Sequence, residues 1–293
     1  MSDSLPQNER PFSAEPRYSR ATLQQQFVEI TNTNVPTATK YLELHEYNLN
    51  KAIDGYLSAA TSTSKKLSRA KPDPKIAAIF DKYKDASDPD KIDINGTLQY
   101  LEDLGIEPED PLSLTLAYFL HSPSVGVFLK SEFLARWNGK ASDLPGMSKY
   151  IKTFHENTIH STKDQDGDED FHKLYDFTFG FLMELENQKL LDYELAIEYW
   201  KLLLPIVISV SGADTDTVEH INKRTQQWYD FVSNEYTRAF SKDSWSMFYL
   251  FFKEIVVSDP VGFKDYDEMA AWPSVMDEYI EYLKENELLN EPQ

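Results

Sequence analysis

The sequence predicts an all-α fold: a small three-helix bundle followed by a larger helical domain built from helix–loop–helix units. Three observations predict it. Apolar residues recur at helical spacing along most of the chain, alternating strand-type patterns are scarce, and helix-start residues such as Pro36, Asn48 and Ser241 stand where periodic stretches begin. The chain has 293 residues, 41% hydrophobic and 13% aromatic, enough for one sizeable core and a small satellite domain.

Residues 1–17 are polar and contain prolines without an apolar segment, which reads as a tail rather than a secretory signal. Residues 18–60 hold three short helical patterns. Leu23, Phe27 and Ile30 mark the first, the second carries Pro36 in its first turn, and the third starts after Asn48 as N-cap. Residues 61–74 are rich in Ser, Thr and Lys, end in prolines and read as a linker. From 75 to 286 the pattern is helical throughout, in about nine or ten segments. The run "PIVISVSG" at 205–212 is the one β-like stretch there, and residues 287–293 read as a tail.

Composition excludes several classes of function. A formal net charge of −20 is opposite in sign to what phosphate binding needs, so nucleic acid is not an expected partner and a basic protein surface is. No apolar run approaches a membrane span, which predicts a soluble, intracellular protein, present in cytoplasm and nucleus. With no cysteine there is no thiolate nucleophile, disulfide or thiolate zinc site. No GxGxxG, P-loop or GxSxG is present, so neither a cofactor nor a catalytic residue is expected.

Two acidic loops resemble calcium loops and fail the same geometric test. In "DASDPDKIDING" the first ligand position falls on Asp85, but Asp90 stands where the sharp turn needs Gly and Gly96 where a bidentate Glu belongs. In "KDQDGDEDF", Asp164, Asp166 and Asp168 have ligand spacing, yet Gly167 precedes the turn position. EF-hand-like units without metal are the consistent reading. His155 and His160 in "HENTIH" are i, i+5 and do not share a helix face, so they are not a zinc pair.

The C-terminal stretch "KDYDEMAAWPSVMDEYIEYL" reads as a helix. On a helical wheel Trp272, Val275, Met276, Tyr279, Ile280 and Leu283 share one face, while Ala271, Ser274 and Asp277 centre on the opposite one. The segment 264–293 holds nine carboxylates against two lysines, more one-signed than an ordinary wet face requires. Upstream, Ser241 reads as an N-cap with Asp243 in the first helical turn, where the helix dipole favours a carboxylate, and Trp245 as core.

These blocks, "SKDSW" and "YDEMAAWPSVMDEYIEYL" above all, resemble the defective-in-cullin-neddylation family. Further similarity runs through "KIDINGTLQYLEDLGIEPED", "LYDFTFGF" and "ELAIEYWKLLL", covering about 75–285. Residues 18–60 are similar to a ubiquitin-associated (UBA-like) domain. The resemblance implies a non-catalytic co-ligase that binds a cullin's C-terminal winged-helix region and the neddylation E2 together, with the RING subunit in the same assembly. Orientation of a thioester toward an acceptor lysine needs no reactive group on the orienting protein.

The family's cullin-binding patch falls on Asp243, Ala271 and Asp277. Its pocket for the acetylated E2 N-terminus maps onto Thr97, Leu101, Leu116, Ala117, Phe128, Phe181, Tyr199 and Leu202, residues that would otherwise read as core. The segment "HSPSVGVF" at the pocket's entry departs from the family pattern. The resemblance also implies contact of the UBA-like domain with ubiquitin or its neddylation-type homologue through Thr31, Asn32, Tyr56 and Leu57. The loop "TNTN" there replaces the usual Met-Gly-Phe type sequence. An adaptor acting mainly through that ubiquitin contact is the alternative reading.

Overall fold

The computed structural model describes residues 20–31, 33–45, 47–49, 51–53, 55–56, 73–161, 170–183, 185 and 187–289. The chain divides into two compact units at Lys71 and Pro72. Of the expected linker 61–74, residues 61–72 lie outside the described residues, as does the acidic loop 162–169, while Asp73 and Pro74 cap and begin a helix.

The first unit contains α1 (Arg20–Thr31) and α2 (Val35–Leu44), and the backbone is helical again at Leu49, 51–53 and 55–56. Both expected helix starts are capped. The Asn34 side chain accepts from the Thr37 amide at 3.0 Å with Pro36 in the same turn, and Asn48 accepts from the Lys51 amide at 3.1 Å. The core is small: Phe27, Ala38, Leu42 and Ala52, with Leu23, Tyr41, Ile53 and Tyr56 packed around them.

The second unit repeats one construction twice. Helices α3 (Pro74–Tyr83) and α4 (Ile94–Leu104) flank β1 (Lys91–Ile92), and α5 (Pro111–Phe119) and α6 (Lys130–Trp137) flank β2 (Phe128–Leu129). β1 and β2 pair antiparallel, Ile92 opposite Phe128. After α7 (Leu144–Ile159) the scheme recurs. Helices α8 (Asp170–Phe181) and α9 (Tyr193–Val210) flank β3 (Leu190–Leu191), and α10 (Thr215–Phe231) and α11 (Lys242–Phe251) flank β4 (Phe240–Ser241). β3 pairs antiparallel with β4, Leu191 opposite Phe240. Two helix–loop–helix units joined by a two-residue ribbon form an EF-hand-like pair, and α12 (Ser274–Glu285) closes the second one.

The first acidic loop spends its carboxylates on its own backbone. Asp85 accepts from the Ser87 amide at 2.6 Å, Asp88 from the Asp90 amide at 3.1 Å, and Asp93 caps α4 through the Gly96 amide at 2.9 Å. A Cβ at Gly96 would lie 2.0 Å from the Tyr83 carbonyl oxygen, so that position cannot carry the carboxylate a calcium loop needs. The histidine motif is likewise dispersed: His155 Nδ1 pairs with Thr115 Oγ1 at 2.7 Å, while His160 ends α7 beside Glu156.

Two local expectations are corrected. Residues 205–210 of the β-like run are the end of α9, with Pro205 inside the helix and Ser211 as its C-cap. Pro205 is exposed while Leu203, Leu204, Val207 and Ile208 are buried, so packing of one apolar face outweighs the missing amide and the β-branched residues. At the C-terminal end, α12 begins only at Ser274; Ala271, Trp272 and Pro273 precede it in irregular backbone. The residue before a proline disfavours helical dihedrals, so the wheel cannot extend back to Ala271. Ordered structure continues past residue 286. The Leu288 amide bonds the Leu283 carbonyl at 2.8 Å, and Leu288 and Leu289 pack on the core.

The candidate functional surfaces

Two surfaces of the second unit carry the residues singled out above. The first is a cavity of about 110 Å³ lined by Ile94, Thr97, Leu98 and Leu101 of α4, and by Ser113, Leu114 and Ala117 of α5. The loop through Ser122, Val125 and Gly126 supplies the rim, and Phe128, Phe181, Tyr199 and Leu202 complete the wall. Both EF-hand-like pairs therefore contribute, the first from α4, α5 and β2, the second from α8 and α9.

The serine and threonine hydroxyls of the lining are bonded to nearby backbone carbonyls. Thr97 Oγ1 donates to the Gly126 carbonyl at 3.0 Å. The Ser122 hydroxyl lies 2.8 Å from the Ser124 carbonyl and 2.6 Å from that of Val127, and Ser113 donates to the Pro108 carbonyl at 2.7 Å. Among the described residues no Asp, Glu, Lys, Arg or His lines it; Tyr199 is the titratable group there, and burial pushes that hydroxyl's pKa up. Gly126 has φ +72, and a Cβ there would meet Ile94 Cδ1 at 2.3 Å. That glycine lets the rim loop close over α4. Ile94, Leu98 and Val125 stand 48%, 43% and 51% exposed at the mouth, an apolar rim in water.

Seven of the eight residues expected here line the cavity, and Leu116 does not. It is fully buried, turned into the core, while its helix neighbours Ser113, Leu114 and Ala117 face the space. The residues that were missed include Ile94 and Leu98. Their signal was present: with Leu101 they form an i, i+4, i+7 stripe continuing onto the exposed end of α4.

The second surface involves α11, α12 and the segment between them. Ser241 caps α11, accepting from the Ser244 amide at 3.1 Å, and leaves Asp243 exposed in the first turn. Trp245 is fully buried. It stacks on Tyr175 at 4.6 Å, its Nε1 donates to the Tyr175 carbonyl at 3.0 Å, and it thereby fixes the start of α11 on α8. Ala271 is exposed. Asp277 is half-buried in the first turn of α12 and accepts a hydrogen bond from the Tyr266 hydroxyl. The two helices meet through Phe251, whose ring lies 5.7 Å from Trp272 and 6.4 Å from Tyr279. The apolar face expected for α12 is buried at Val275, Met276, Tyr279, Ile280 and Leu283, with Trp272 partly so.

A buried arginine holds the base of this surface. Arg224 Nε donates to the Pro260 carbonyl at 2.6 Å, Nη1 to the Leu288 carbonyl at 2.8 Å and Nη2 to the Val261 carbonyl at 3.3 Å. It thus ties the chain leaving α11 to the chain leaving α12. The remaining carboxylates are partly answered nearby: Lys284 pairs with Glu268 at 2.5 Å, and Arg238 pairs with Glu278.

In the first unit, Thr31 turns its hydroxyl onto the Phe27 carbonyl at 2.7 Å. Tyr56 packs edge-on to Phe27 and Tyr41, at 5.8 and 5.3 Å. Asn32 and the Leu57 side chain lie outside the described residues.

This architecture is that of a cullin-binding protein with an N-terminal UBA-like domain: residues 147–282 match the family described as cullin binding, and residues 22–63 the UBA-like domain family. Among curated proteins, defective in cullin neddylation protein 1 of Candida albicans is 48% identical over 92% of this chain and 99% of its own length. The protein of that name in Yarrowia lipolytica is 38% identical over 87% of this chain and 93% of its own, and that in Saccharomyces cerevisiae 29% over 89% and 93%. The chain belongs to the defective in cullin neddylation protein 1 family.

Proposed function

We propose that this protein promotes neddylation of a cullin without catalytic residues of its own. It holds the cullin's C-terminal region at Asp243, Ala271 and Asp277, and the acetylated N-terminus of the neddylation E2 in the α4–α5 cavity. Holding both, in an assembly that includes the RING subunit, raises the effective concentration of the E2 thioester near the acceptor lysine. Ubiquitin or its neddylation-type homologue is a further partner proposed for the UBA-like unit.

The observation that carries the E2 reading is the apolar lining of the cavity, with no charged side chain among its described residues. An apolar space without a carboxylate among the described residues of its lining is hostile to an ammonium, which would lose its hydration without a charged partner. An acetylated Met terminus carries no charge there and buries an apolar side chain. The cullin reading is supported by the exposed, small side chain of Ala271 and by the carboxylates of Asp243 and Asp277 in the first turns of α11 and α12.

The test is a reconstituted cullin neddylation assay with the full chain, paired with titration of E2 N-terminal peptides. Addition of the protein is expected to accelerate modification, and the acetylated peptide to bind at least about 10-fold more tightly than the unacetylated one. Equal affinity for the two peptides removes the E2 assignment; an unchanged neddylation rate removes the function.

A further inference from the structure

Asp277 accepts from a neutral donor, whereas Glu268 and Glu278 pair with Lys284 and Arg238. Asp277 is half-buried, and the Tyr266 hydroxyl, eleven residues earlier, donates to its Oδ1. Tyr266 is itself held. Its amide bonds the Phe263 carbonyl at 2.9 Å, and its ring meets Phe251 edge-on at 6.2 Å. The same Phe251 ring supports Trp272, next to Ala271. The segment is also folded on itself, with Met269 N bonded to Asp267 Oδ1 at 2.9 Å and Trp272 N to the Ala270 carbonyl at 2.9 Å. One cross-strut, Tyr266 to Asp277, thus joins the irregular segment that presents Ala271 to the helix that presents Asp277.

We propose that Tyr266 is a positioning residue for cullin binding: its hydroxyl fixes the rotamer of Asp277 so that the other carboxylate oxygen faces the basic partner. The inference rests on the reading of Asp277 as a cullin contact. A carboxylate offers about four acceptor sites, so one hydroxyl leaves ample capacity for a cationic side chain. A short side chain already held in one rotamer loses less conformational entropy on binding than one that must be ordered at that moment. Burial, with the Asp277 carboxylate as a further cause, holds the Tyr266 pKa well above the ordinary tyrosine value, so the hydroxyl remains a donor at neutral pH. Asp243 has a different arrangement: it is exposed in the first turn of α11.

Tyr266→Phe keeps the ring on Phe251 and removes only the hydroxyl, which makes it a clean test. Titration calorimetry of the full chain with a cullin C-terminal fragment would compare wild type, Tyr266→Phe, Asp277→Ala and the double variant. The acetylated E2 peptide and the thermal midpoint serve as controls for a general structural effect. Expected is a weakening of cullin binding by about 5-fold for Tyr266→Phe, the size of one net hydrogen bond, with peptide affinity unchanged. In the Asp277→Ala background the same substitution should change affinity less than about 2-fold, because the group it positions is gone. Unchanged or tighter binding by Tyr266→Phe, while Asp277→Ala weakens it, overturns the positioning role and leaves the patch standing. Additive effects of the two substitutions also overturn it. If Asp277→Ala itself has no effect, the patch reading fails and the positioning role with it.

Discussion

The two surfaces of the larger unit solve opposite problems. The cavity between α4 and α5 is concave and apolar, with its serine and threonine hydroxyls bonded to nearby carbonyls, an arrangement suited to a neutral guest. The surface on α11 and α12 is acidic, and its carboxylates are placed by helix starts and one tyrosine strut, an arrangement suited to a cationic partner. Polar groups that bond each other make a good pocket for a neutral guest, whereas polar groups held at helix N-termini with spare acceptor capacity make a good contact for a cation.

The largest expected effect breaks one surface and spares the other. Ala271→Arg places a bulky cation where a basic partner must approach, and should weaken cullin binding by about 100-fold or more in calorimetry. The acetylated peptide should bind as before; loss of both affinities would mean the two surfaces are not separate. Next comes the cavity. Ala117→Leu adds three carbons to a space of about 110 Å³ and should lower peptide affinity by roughly 10-fold while cullin affinity stays within about 2-fold. Its thermal midpoint should be reported alongside, since overpacking alone costs about 1–3 kcal/mol. The smallest effect is ionic. Raising salt from about 0.05 to 0.5 M should weaken cullin binding several-fold and leave peptide binding flat or slightly tighter, because screening acts on the exposed carboxylates and not on apolar burial. A flat response from both would remove attraction as the principle of the second surface.

Much of the local structure was legible in advance because its causes are local. Asn48 and Ser241 cap helices where a side-chain oxygen precedes an apolar-periodic run, and Gly96 cannot supply a calcium ligand whatever the rest of the chain does. The buried face of α12 also followed from periodicity. The misreadings share a different cause. Leu116 and Leu114 are equally apolar, and only the packing of α5 against its neighbours decides which of them faces the cavity. At 205–210, burial of one face carries helix through a proline and a β-branched run. Ala271 lies outside the helix whose wheel assigned it.

By itself, the sequence determined an all-helical chain in two units, the capped starts of its helices, the absence of thiol chemistry, and a C-terminal region of one charge sign. These depend on composition and on interactions spanning a few residues. Tertiary structure alone decided that apolar residues from α4, α5, α8 and α9 leave a space between them instead of filling it. It also decided that Tyr266 reaches Asp277 and that Arg224 ties residues 260 and 261 to Leu288. A cavity is a mismatch between surfaces distant in sequence, and a strut is a meeting of two side chains on separate elements. Neither has a period or a spacing that one stretch of chain could display.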